Sequence, residues 1–183
     1  GAAAAPPFRL PGQHFAAALG FLLLGSAGLA WRAPALAAGA FSDPGVVAVT
    51  HLFTLGWIST TIMGALYQFL PVALGASVRW EGLADATFAA WVAGVTTFSG
   101  GLLLGQPRLH VPGAAILGLA VLLFAVNVAA TLPRARRRGV TWWCAAGATL
   151  FLAGAWLLGL LLAVNLGTRS EEHTSELQSP SAI

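Results

Sequence analysis

A chain of 183 residues in which 57% of the side chains are apolar and only 8% are charged is not built as a soluble domain, and its composition is that of a membrane protein. The formal charge of +3 rests on nine basic residues, all of them arginine. These lie singly between apolar stretches or together in one short loop, a placement that orientation in a bilayer explains, so no nucleic-acid partner is expected. The single cysteine, Cys144, excludes an internal disulfide and any cysteine-based metal motif and reads as a small packing residue.

A hydrocarbon core of about 30 Å needs about 20 helical residues to cross it. In chain order, residues 1–13 read as a cytoplasmic N-terminal segment without the basic start and apolar centre of a signal peptide. Spans are then expected near His14 to Trp31, Val46 to Leu74, Leu83 to Gly105, Val111 to Leu132 and Val140 to Asn165. Pro34 with Asp43 and Pro44, Arg79 to Glu81, Gln106 to Arg108 and Pro133 to Gly139 separate them. The fold expected is all-α: a polytopic bundle of about five transmembrane helices over residues 14–167, with short connections that make neighbours antiparallel.

Because basic flanks stay on the cytoplasmic side, Arg134, Arg136, Arg137 and Arg138 place the fourth connection inside, and alternation then puts Arg9 and Arg79 inside and Arg32 and Arg108 outside. The N-terminus is therefore expected in the cytoplasm, and the location is a bacterial inner membrane. Trp31, Trp80, Trp142 and Trp143 fall at expected helix ends, at headgroup level.

The second span carries the chemistry. It reads THLFTLGWISTTIMGALYQFLPVALG from Thr50 to Gly75, with one ionisable imidazole, His51, about 9 Å along the helix from a start near Gly45. An intramembrane histidine marks a functional site by default, and a neutral imidazole is a natural axial ligand of haem iron. Gly56, Thr60 and Gly64 recur at four-residue spacing and leave one face small, which suits close helix packing before it suits the edge of a macrocycle. Tyr67 and Gln68 read as polar groups near the cytoplasmic end, and Pro71 as a disruption of the last turns.

The pattern H-x-x-x-x-G-W, small residues, then G-x-x-Y-x-x-x-P, met here from His51 to Pro71, resembles the second helix of haem-copper oxidase subunit I and nitric-oxide reductase proteins. It is most similar to divergent subunit-I-like or NnrS-like bacterial membrane proteins. The resemblance covers this one helix and implies a role for His51 as axial ligand of a low-spin haem b. It implies, too, a protein of electron transfer or of oxygen or nitric-oxide handling, with the bilayer and other respiratory-chain subunits or a cytochrome as partners. The family's later histidines have no counterparts here, so the chain as given holds no catalytic centre, and membership of an oxidase or reductase is left open.

His110 opens the fourth span on the same side as His51 and is the alternative ligand, an interfacial role being the plainer one. His14 reads as interfacial, a membrane thickness from His51. Asn127 reads as a hydrogen-bonding group between helices, and Asp43, Glu81 and Asp85 as loop residues. Two other functions compete with haem binding: a transporter or permease in which His51 faces a cavity, and a scaffold subunit without ligand.

From Arg169 the apolar periodicity stops, and Glu171, Glu172 and Glu176 are three of only six acidic residues. The run RSEEHTSELQS, Arg169 to Ser179, resembles the in-frame translation of a sequencing adapter. Residues 168–183 are accordingly expected to be an artefactual, disordered tail, with the natural sequence continuing past Gly167 or Thr168 into further helices.

Overall fold

The computed structural model describes residues 8–136 and 138–178, with side chains as far as Leu162. Among these residues the chain is all-helical, and five helices are long and apolar enough to cross a membrane: α1 (Arg9–Ala37), α2 (Pro44–Leu74), α3 (Glu81–Leu103), α4 (Pro107–Arg134) and α5 (Val140–Leu162). The all-α, multi-pass architecture expected from hydropathy is the one found.

Each boundary has a local cause. Asp43 caps α2, its carboxylate accepting from Val46 N at 3.0 Å, with Pro44 at the first helical position where a missing N–H costs nothing. Gly75 ends α2 in the left-handed region at φ 64°. Pro71 does not disrupt α2, which continues to Leu74.

Two features of the helices depart from expectation. α1 starts at Arg9, so residues 9–13 of the N-terminal segment are helical; residues 1–7 lie outside the described residues. The helix that contains α5 runs Val140–Gln178, so the backbone of 168–178 is helical where a disordered tail is expected. Glu, Leu and Gln favour helix and no Pro or Gly interrupts Thr168 to Gln178, which is a sufficient local reason. Residues 179–183 lie outside the described residues.

Small residues set how closely the helices approach. A Cβ at Gly94 would lie 2.8 Å from Leu117 N, and one at Gly113 would lie 2.7 Å from Phe98 Cα, so α3 and α4 form a backbone-close antiparallel pair. The small face of α2 meets α1 in the same way: Gly56 sits against Phe21 and Gly64 against His14, each leaving only 2.7 Å for an added Cβ. That face is filled by helix packing and has no room for a macrocycle edge. Trp91, Val95, Phe124, Leu74 and Val121 fill the centre between α2, α3 and α4, while α5 lies along α4 with most of its apolar surface outward.

Candidate functional site

His51 stands at the end of the first α-helical part of α2, where the backbone changes to a π-helix over Leu52–Ser59 before returning to α at Thr60. Hydroxyls brace this stretch: Ser59 Oγ donates to Thr54 O at 2.8 Å and Thr60 Oγ1 to Leu55 O at 3.1 Å, each reaching five residues back as π hydrogen bonds do. Such segments are rare and gather at functional sites. Its trace in the sequence is the pair Ser59 and Thr60 after Gly56, hydroxyls that can reach five residues back.

The His51 ring is half-buried and its Nδ1 lies 2.7 Å from Val47 O. A carbonyl only accepts, so Nδ1 carries the proton and Nε2 keeps its lone pair. Nε2 makes no hydrogen bond among the described residues. Phe98 of α3 packs edge-on against the ring, with centroids 5.1 Å apart.

His110 begins the α-helical part of α4 after a short 3-10 turn at Pro107–Leu109 and packs on the same Phe98 ring at 6.3 Å. Its Nε2 is buried without a partner. The two candidate ligands therefore share one layer of the bundle, each resting on Phe98 rather than on the other.

His14 is not interfacial. It is fully buried, at 0% exposure, because α1 begins more than a turn before it and Gly64 lets α2 close over it. Its Nδ1 donates to Leu10 O at 2.8 Å, and its Nε2 is buried and unpartnered. Tyr67, at 3% exposure, is likewise a core residue whose hydroxyl lies beside Thr87 and Asn127 without a hydrogen bond of good geometry, and its ring is 5.3 Å from that of His14. Phe88 touches His14 and Phe98 touches His51; ten residues of α3 separate them, about 15 Å along the axis. The two imidazole layers are thus distinct, closer than a membrane thickness but too far apart to share one iron.

Of the three carboxylates expected in loops, Asp43 is in one, as the cap of α2, and the other two lie on a helix. Glu81 and Asp85 belong to the start of α3, and Asp85 takes both guanidinium nitrogens of Arg9, at 2.9 and 2.7 Å, with Gln13 Nε2 donating at 3.1 Å. Asn127 pairs its amide with the backbone of Trp80, donating to Trp80 O at 2.9 Å and accepting from Trp80 N at 3.2 Å. Among the described residues no three of His, Cys, Asp and Glu converge as a set able to hold a metal ion by themselves.

No family model, curated protein or solved structure matches this chain.

Proposed function

We propose that this chain is a haem-binding subunit of a bacterial inner membrane, with its N-terminus in the cytoplasm and His51 as an axial ligand of haem b. The observation that carries the reading is the His51 Nδ1 to Val47 O hydrogen bond, which fixes the tautomer and aims an uncommitted Nε2 lone pair away from its own helix. Iron-ligating histidines are held in this way, by donating the other ring nitrogen to a carbonyl or carboxylate. The π-helical stretch that starts at the next residue gives the ring a backbone setting typical of functional positions.

The residues present fit one side of such a group. His51 would supply one ligand, and His110, with a buried and unpartnered Nε2 in the same layer, is the candidate in this chain for a second. Phe98, against both rings, would restrict their rotation and keep water from the layer. A bound haem would supply one-electron exchange at its iron, which suits electron transfer or the handling of oxygen or nitric oxide alongside respiratory partners.

The test is a reduced-minus-oxidised visible spectrum of the protein purified from membranes, with His51→Ala alongside. Sharp haem b bands in the parent, lost in a variant that still inserts, are the expected result. Bands unchanged in His51→Ala would remove His51 as ligand. A folded parent free of haem would return the chain to the transporter or scaffold functions.

A further inference from the structure

The loops at the arginine-rich face are fastened to one another and to the helices. Arg136 N donates to Leu74 O at 2.9 Å, and Arg79 N donates to the Thr131 hydroxyl at 3.0 Å. The side chain of Arg136 crosses the Gly75 turn, passing 3.6 Å from where a Cβ would stand there, and Arg79 lies over the Trp80 ring at 5.2 Å. Among the described residues the ion pairs are Arg9 with Asp85 and Arg32 with Asp43. Arg79, Arg134, Arg136 and Arg138 thus present positive charge at one membrane face, with no carboxylate of the described residues within ion-pair distance.

Directly beneath lies a cleft of about 180 Å³ between α2 and α5, floored by Trp91 and Phe124. Its upper rim is formed by Leu70, Val128 and Ala145. Leu70 is one turn from Leu74 and Val128 is three residues from Thr131, so the rim is about 6 Å below the two fastened arginines. The cleft extends along α2 to Ser59, eleven residues and about 16 Å away, and opens sideways at Ile62, which is 52% exposed.

The walls exclude water on chemical grounds. Ser59 Oγ donates to Thr54 O, Thr149 Oγ1 to Ala145 O and Trp91 Nε1 to Thr60 Oγ1, so every polar side chain on the lining has already spent its donor. An internal water needs two to four polar partners, and an apolar cavity of this size stays dry or takes an apolar guest.

We propose that this cleft and the arginines above it bind one anionic glycerophospholipid of the surrounding bilayer, an acyl chain lying between α2 and α5 and the phosphate held by Arg79 and Arg136. The two halves of the site match the two halves of such a lipid, and the sideways opening at Ile62 admits the chain from the membrane. Basic pockets at helix ends recognise anionic headgroups in this manner. The site is independent of whether His51 holds haem.

The test is the full chain in phosphatidylcholine nanodiscs doped with phosphatidylglycerol, with retained lipid read by native mass spectrometry. Phosphatidylglycerol should be retained in preference to phosphatidylcholine, and Arg79→Gln and Arg136→Gln should each reduce that preference about fivefold. Arg79→Lys should keep most of it, and Arg32→Gln on the opposite face should leave it intact. Ala148→Phe, which fills the cleft, should expel the lipid with the arginines in place, and Leu152→Trp provides a second filling variant should the first fail to fold. Equal retention of the two lipids, a preference unmoved by the arginine variants, or one unmoved by both filling variants would each overturn the proposal.

Discussion

Trp91 on α3 donates its indole N–H to the Thr60 hydroxyl on α2 at 2.9 Å, with Trp91 at 2% and Thr60 at 0% exposure. Thr60 in turn donates to Leu55 O across the end of the π-helical stretch. One hydroxyl thereby couples the α2–α3 contact to the backbone irregularity that follows His51.

Thr60→Val keeps the shape and removes both bonds. The indole N–H is left unsatisfied in an apolar core, and the cost should be about 1 to 2 kcal/mol, nearer the lower end because partners are also found in the unfolded-in-membrane state. A lowered melting temperature and altered Trp emission in detergent check this, with Thr60→Ser close to the parent. If Thr60→Val melts with the parent, the bond contributes nothing.

Gly64→Ala places a Cβ 2.7 Å from His14 Cβ, a contact neither helix backbone can relieve without moving. Overpacking of this kind costs about 1 to 3 kcal/mol. Gly154→Ala on α5, where an added Cβ meets nothing within 4 Å, should be neutral or slightly stabilising. The pair of melting curves distinguishes close approach from the general effect of replacing glycine.

The five spans were legible in the sequence because lipid imposes a length and a composition that no tertiary contact overrides. The small face of α2 was legible for the same reason, since Gly56, Thr60 and Gly64 leave little but helix packing to occupy them. His14 and Tyr67 lie deeper than the sequence suggests, because distance to the nearest polar loop along the chain does not measure depth in the bundle. The start of α1 at Arg9 brings Arg9 to Asp85 of another helix and His14 under Gly64, contacts between distant segments that no local pattern reveals. The π-helical stretch leaves almost no trace in hydropathy, as its residues are as apolar as those around them.

Asn127→Leu should loosen the connection between α2 and α3. It removes both bonds to the Trp80 backbone and leaves that N–H to find water at the membrane surface, while the carbonyl keeps the N–H of Ala84. Amides of residues 76–80 should exchange faster with deuterium, while those of α3 beyond Asp85 keep the parent's protection. Uniform acceleration through α3 would show instead that Asn127 supports the bundle as a whole.

The Arg9–Asp85 pair has good bidentate geometry, yet the side chains are 61% and 37% exposed, and solvent screens pairs of that kind. A double-mutant cycle with Arg9→Gln and Asp85→Asn should therefore return a coupling of at most about 1 kcal/mol, falling as salt is raised. The position of the pair argues the other way: it lies at the rim of the layer that holds His14, and Gln13, next in the chain, also donates to Asp85. If that setting shields the pair, the coupling will survive high salt and exceed the exposed-pair range. The salt dependence of the cycle thus decides whether Asp85 anchors α1 by charge, or whether the closure of α2 over His14 at Gly64 holds α1 in place without it.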